Sequence, residues 1–361
     1  MPPPLRRRAG CWIAVRIARL ATVSTVGVLI VRTLIWPWRT RGRVSCVHAP
    51  ASWTRLDGTT MRAMARGKPP AEPSFLMLWS TNSSSFGLVP RRAIESVFYH
   101  HPRATLCVFS NTLPPDFFAM LNAAGYAARV QPYNLTQILE GTPAAPWLAR
   151  VSEWQSGPYF FSHVTDALRL ALLYREGGVY LDSDVLLVRP LRLAGVPSTL
   201  SSPPLERGAS STLHNSIGIE AFEGSWFPRP VLNGAILVFD AGSPFLWNAM
   251  HELATSYDPR LWGWNGPELL TRVYFQCAFE GDSAVQIEPP EAFYPIYWGD
   301  VNVYAGGEQL ERHALAWTTI QRHAYTAHLW NQKTATLSAH PRSLLHRLLH
   351  QWVVLPSWSA V

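Results

Sequence analysis

Cysteine is scarce. The 361-residue chain has four, Cys11, Cys46, Cys107 and Cys277, and none share a metal-ligand spacing, so no zinc site is signalled. At most two disulfides can form, and Cys107, inside an apolar run, reads as buried core. Acid is missing from residues 1–56, and so is lysine, although that stretch holds ten arginines. The remaining 21 basic and 24 acidic residues leave that part at −3, so the overall +7 belongs to the tail. A basic nucleic-acid-binding face is therefore not implied. No internal repeat is evident.

No apolar run of about 20 residues, the length of a spanning helix, is free of charge. The nearest is Leu20 to Val31, continued by Thr33-Leu34-Ile35-Trp36 after Arg32. Arg6, Arg7, Arg8, Arg16 and Arg19 precede it, and Arg39, Arg41 and Arg43 follow. If Arg32 snorkels to an interface, Leu20 to Trp38 is long enough to span, and the leading charges would keep the N-terminus cytoplasmic. We expect residues 1–43 to be a basic tail with a signal-anchor, 44–72 a stem, and 73–355 the catalytic domain. A cleaved organellar transit peptide and a secretory signal peptide remain as rival readings. Two sequons, at Asn82 and Asn134, are compatible with a lumenal location.

What is present is an alternation of short apolar strands and amphipathic helices. Phe75 to Ser80 and Ala104 to Ser110 read as strands; Pro90 to His100 and Asp116 to Ala124 read as helices. This predicts an α/β fold with a mainly parallel central sheet, whose ligands bind beyond the carboxyl ends of its strands. Ser80, Thr81 and Asn82 follow the first strand there. Ser343 to Val353 reads as a core-docking helix.

The most informative stretch is Gly177-Gly178-Val179-Tyr180-Leu181-Asp182-Ser183-Asp184-Val185. It holds the single Asp-x-Asp of the chain, in an apolar setting where unpaired carboxylates are costly. Extended backbone would turn Asp182 and Asp184 to one side. Two hard oxygen ligands can hold a divalent cation and leave positions open for diphosphate oxygens. Upstream, Ser162 to Glu176 reads as a helix with Val164, Ala167, Leu168, Ala171 and Leu172 on one face, started by Ser162 or Thr165 and ended by Gly177. Asp166 and Arg169 are neighbours on it; Asp166 is expected to accept from sugar hydroxyls and Arg169 to face phosphate or sugar oxygens. No enzymic nucleophile stands out.

Ser162 to Arg169 and Gly177 to Asp184 resemble the glycosyltransferases related to yeast α-1,6-mannosyltransferases. Val231 to Ala235, Trp262 to Val273, Pro289 to Ile296 and Ala327 to Asn331 narrow the similarity to the α-1,4-glycosyltransferase family, over roughly residues 75–352. The segment between Leu193 and Val231 is longer than that family's connection, and the resemblance leaves its relation to the acceptor open. The resemblance implies a GT-A-type fold and a metal-dependent retaining transfer of a hexose or N-acetylhexosamine, forming an α-1,4 linkage from a UDP-sugar. Mn²⁺ (or Mg²⁺) would be held by Asp182, Asp184 and, in the segment His-x-Trp-Asn, His328; Gly178, Tyr180, Asp166 and Arg169 belong to the donor site. Asn233 and Glu268 would face the reacting sugar or the acceptor. The acceptor would be a glycan or glycolipid, with the enzyme a single-pass Golgi membrane protein of lumenal catalytic domain. A GDP-mannose-dependent mannosyltransferase and a non-catalytic carbohydrate-binding protein on the same fold are the alternatives.

Overall fold

The computed structural model describes residues 73–195, 212–225, 228–279, 285–305, 310–337 and 340–359. The anchor and stem expected for residues 1–72 lie outside the described residues, as does most of the first half of the 194–230 segment. Among the described residues no helix is long and apolar enough to cross a membrane.

Nine strands are described: β1 (Ser74–Leu78), β2 (Thr105–Phe109), β3 (Ala127–Gln131), β4 (Gly178–Leu181), β5 (Val185–Leu187), β6 (Ser216–Glu223), β7 (Arg229–Phe239), β8 (Gln286–Glu288) and β9 (Thr326–His328). Seven of them form one sheet in the order β3-β2-β1-β4-β7-β6-β8. β1 pairs in parallel with β2 and β4, β2 with β3, and β6 with β8. β7 is antiparallel to both of its neighbours, so it alone runs against the other six. This is the mainly parallel α/β sheet expected, with one reversed strand beside the Asp-x-Asp.

Both faces of the sheet are covered, which is why its strands read as unbroken apolar runs. Leu76, Tyr180, Leu237 and Phe239 pack with helices Phe160–Glu176, Pro244–Ser256 and Pro267–Phe279. Phe75, Met77, Val179, Leu181 and Val238 pack on the other face with helix Leu88–His100. Alternate residues of β1 and β4 thus serve opposite cores. A third cluster joins Leu186, Ala327 and Leu329 to Trp317, Leu345 and Leu348 of the C-terminal helices.

Several helix boundaries shift from the sequence expectation, such as Leu88 for Pro90. The long helix starts at Phe160, and no side chain caps it; Thr165 Oγ1 instead donates to the Phe161 carbonyl at 2.9 Å. The entry is set by aromatic packing, with Trp147 stacked on Trp154 at 4.3 Å and Trp154 against Phe160 at 5.6 Å. The Asp116 to Ala124 helix shortens to Ala119–Ala123. At the far end Gly177 does close the long helix, its N–H donating to Leu173 O. Gly177 and Gly178 adopt φ +66° and +105°, and a Cβ would meet Ala241 N at 2.7 Å and Ser74 O at 2.6 Å respectively. Only glycine lets the chain reverse here and drop straight into β4.

His101 carries a pH prediction. Its Nε2 accepts from the Leu191 N–H at 2.9 Å, which requires a neutral ring, and burial pushes its pKa from 6.5 down to about 4. The unfolded chain binds more protons between those values, so stability rises with pH through that window at about 1.4 kcal/mol per unit. Between pH 7 and pH 5 the change in stability of wild type should exceed that of His101→Gln, in the destabilising direction, by about 2 kcal/mol. Identical pH profiles of melting in the two proteins contradict the assignment.

Candidate functional site

The Asp-x-Asp converges differently from the strand alternation expected. β4 stops at Leu181, and Asp182-Ser183-Asp184 form a tight turn closed by Val185 N donating to Asp182 O at 3.1 Å. Each side of the turn is tied to a distant segment: Asp182 N donates to Ala235 O of β7 at 2.8 Å, and Leu329 N donates to Asp184 O at 2.9 Å. β5 then pairs antiparallel with β9, setting Val185 opposite His328. One ligand atom from each of Asp182, Asp184 and His328 comes together within 4.8 Å. Because β1 and β4 are parallel neighbours, Ser80 to Asn82 lie at the same sheet edge.

The carboxylates are held from behind. Tyr180, 1% exposed, donates its hydroxyl to Asp182 Oδ1 at 2.7 Å. Arg169 Nη2 stands 3.3 Å from Asp182 Oδ1 and 3.4 Å from Asp166 Oδ1, with its guanidinium 5.0 Å from the Tyr180 ring centre. Gly266 lies so close that a Cβ would be 2.9 Å from Asp166 Oδ2. Asp184 faces His328 Nε2 at 3.2 Å and accepts from the Asn331 N–H at 2.7 Å. That N–H is aimed by Trp330, whose φ of 53° is left-handed, a strain of about 1–2 kcal/mol for a residue with a Cβ. Trp330 is held there by its Nε1–H donating to Ile296 O at 2.8 Å and by its ring 4.0 Å from that of His328.

The electrostatics follow from these contacts. Burial, with Asp182 adding to it, pushes Asp166 up to about 7 against the opposing charge of Arg169. Burial also disfavours the Asp184 carboxylate, yet His328 and the Asn331 N–H hold its pKa below the usual value. His328 is raised: burial opposes its charge, and Asp184 outweighs burial. A buried imidazole drawn onto a carboxylate beside a second carboxylate is a donor set that fits a divalent cation of the Mn²⁺ type. His328 Nδ1 is buried without a hydrogen bond, so on that side packing against Trp330 and Tyr294 holds the ring, while Nε2 faces Asp184.

The other residues expected at the site are placed less directly. Gly178 serves the backbone, and Tyr180 reaches the site through Asp182. Asn233 is 7% exposed and fully engaged: its Oδ1 accepts from Ala235 N at 2.7 Å, and its Nδ2 donates to Glu220. Glu268 gives both oxygens to Arg229, at 2.6 and 3.0 Å, and stands outside the metal cluster. In the aromatic loop, Trp264 is structural, donating to Ser256 O at 2.7 Å beneath the Arg272 guanidinium, while Trp262 is exposed. Sequence reasoning missed Glu220. It lies in the long 194–230 segment, whose second half is β6, an integral strand of the sheet. A register irregularity between Ile219 and Ala221 puts Glu220 against Asn233, and no spacing signal announces an irregularity of that kind.

His328 can be tested by two curves on one variant. His328→Ala is expected to raise the Mn²⁺ concentration for half-maximal activity roughly tenfold, as loss of one inner ligand weakens a site. A lower melting temperature without metal, combined with an unshifted Mn²⁺ curve, assigns His328 to the core instead.

Comparison with known proteins follows this geometry. Residues 90–204 match a family described as a glycosyltransferase sugar-binding region containing a DXD motif, and residues 238–352 match the α-1,4-glycosyltransferase conserved region. The chain is 31% identical over 293 residues to lactosylceramide 4-alpha-galactosyltransferase of Rattus norvegicus, covering 76% of this chain and 69% of that one. It is 28% identical over 214 residues to the Homo sapiens alpha-1,4-N-acetylglucosaminyltransferase, covering 55% and 51%. An uncharacterised Arabidopsis thaliana protein is 29% identical over 283 residues; the match covers 76% of this chain but 40% of that longer protein.

Proposed function

We propose a specific reaction for this chain, which belongs to the α-1,4-glycosyltransferase family and is a glycosyltransferase. It transfers a hexose or N-acetylhexosamine, from a UDP-sugar with retention, to a sugar hydroxyl of a glycan or glycolipid, forming an α-1,4 linkage. The observation that carries the reading is the convergence of Asp182, Asp184 and His328 within 4.8 Å. A divalent cation bound there would supply charge to neutralise the departing diphosphate. Asp166 accepts from donor-sugar hydroxyls, and Arg169 holds Asp166 and Asp182 in place. With no nucleophile evident, the departing diphosphate takes the proton of the acceptor hydroxyl on the same face.

The test is release of nucleoside diphosphate, and transfer, from UDP-galactose, UDP-N-acetylglucosamine and GDP-mannose with Mn²⁺. Turnover of a UDP-sugar supports the reading. Turnover of GDP-mannose alone favours the mannosyltransferase alternative, and binding of glycans without turnover of any donor favours the non-catalytic one. The N-terminal segment would anchor the enzyme in the Golgi membrane with the catalytic domain lumenal. The full chain should then resist carbonate extraction; a soluble organellar form lacking about 40 residues replaces that proposal with the transit peptide.

A further inference from the structure

The wall facing the metal cluster across β7 holds a carboxylate and an indole that the reaction so far leaves unused. Glu220 takes a hydrogen bond from Asn233 Nδ2, and lies near the Trp298 side chain and in the electrostatic reach of His328, Tyr294 and Tyr297. Asn233 is in turn fixed to β7 beside Ala235, whose carbonyl receives the Asp182 N–H. Glu220 is thus connected to the Asp-x-Asp turn through one side chain and one strand.

The segment carrying Trp298 is tied to the same centre at three points. Tyr294 donates its hydroxyl to Asn233 O at 3.1 Å, Ile296 O accepts from Trp330 Nε1 at 2.8 Å, and Lys333 Nζ stands 4.5 Å from the Trp298 ring centre. The Trp298 side chain is 38% exposed, large for an indole that the surrounding segment could have buried. The lysine over it is itself exposed. An exposed cation–π contact contributes about 0.5–1 kcal/mol, little enough for an arriving ring to displace. A partly exposed indole near a half-buried carboxylate matches a pyranose: apolar C–H on one side, hydroxyls at the rim.

We propose that Trp298 and Glu220 form the acceptor-sugar subsite, Trp298 covering a face of the acceptor ring and Glu220 accepting from its attacking hydroxyl. This rests on the reaction proposed above and names the side of the centre that its acceptor approaches. Glu220 orients the oxygen lone pair toward the donor; the proton leaves to the diphosphate, as in that reaction. The placement also gives the long 194–230 segment a role, since β6 delivers Glu220.

The test uses the full chain with Mn²⁺, UDP-galactose or UDP-N-acetylglucosamine as donor, and lactosylceramide or free lactose as acceptor. UDP release without acceptor is measured beside transfer, so wild-type turnover reports on the parent reaction, and the acceptor and donor KM values report on the subsite. Glu220→Gln should lower acceptor kcat/KM on the order of 100-fold, the cost of a misplaced reacting group, with donor KM unchanged. Trp298→Ala should raise acceptor KM about tenfold, equivalent to 1.4 kcal/mol of lost contact, with donor KM unchanged. Glu220→Asp should recover part of the transfer, which a general loss of folding would not allow. A raised donor KM in both variants, or unchanged acceptor kinetics in both, overturns the subsite.

Discussion

Asp182→Asn and Asp184→Asn should each reduce sugar transfer by roughly 10³-fold or more, the several kcal/mol that a metal supplies to a developing diphosphate charge. The fold should survive. In Asp182→Asn the amide oxygen can still accept from Tyr180, whose hydroxyl now lies 2.7 Å from Oδ1. In Asp184→Asn the 2.7 Å bond from the Asn331 N–H can be kept in the same way. The charge that holds the cation is removed, while Arg169 keeps Asp166 as a partner at 3.4 Å and His328 can lose its proton. Circular dichroism and melting should therefore stay near wild type while turnover disappears at any Mn²⁺ concentration. Unchanged turnover in either variant at saturating Mn²⁺ would falsify the metal assignment.

Arg169→Met is expected to lose both activity and stability. Arg169 stands against Asp166 and Asp182, at 3.4 and 3.3 Å, with side-chain exposures of 10%, 15% and 26% for the three residues. Removing one partner of a buried charge cluster costs about 3–5 kcal/mol, because the others are left uncompensated. The loss should depend on pH with a definite sign. The Asp166 carboxyl already sits at about 7, because burial outweighs Arg169, and without the guanidinium it moves higher. A carboxyl whose folded pKa lies above its unfolded value loses stability as pH rises between the two. The melting deficit of Arg169→Met relative to wild type at the same pH should therefore be largest near pH 8 and smaller near pH 5. Arg169→Lys keeps the charge but not the fork that reaches two carboxylates, so it should recover more stability than transfer. A deficit independent of pH would mean that lost packing, not charge, accounts for the effect.

Much of the fold was legible because its signals are local. The sheet is covered on both faces, so β1, β2 and β4 appear in the chain as short apolar runs. Gly177-Gly178 marks the reversal because a Cβ cannot fit there. The helix bearing Asp166 and Arg169 follows from its apolar period, although its first turn does not, since aromatic packing overrode the hydroxyl caps available at Ser162 and Thr165. The 194–230 segment misled for the opposite reason. Its Ser- and Pro-rich opening hides a strand, β6, that is defined by its neighbours β7 and β8 more than by its own pattern.

The sequence by itself determined the chemistry on offer: one Asp-x-Asp in an apolar frame, a companion Asp–Arg pair on a helix, and a late histidine beside a tryptophan. Residue type, local spacing and family resemblance suffice for that. Tertiary structure alone decided the geometry. His328 meets Asp184 because β9 pairs with β5, some 140 residues earlier in the chain. Asp182 and Asp184 converge through a turn pinned at Ala235 and Leu329, not through strand alternation. Glu220 reaches the site through a register irregularity, while Glu268, in a more conspicuous motif, is taken up by Arg229. Pairings across long stretches of chain and the competition of neighbours for one carboxylate have no local period, and only the packed molecule settles them.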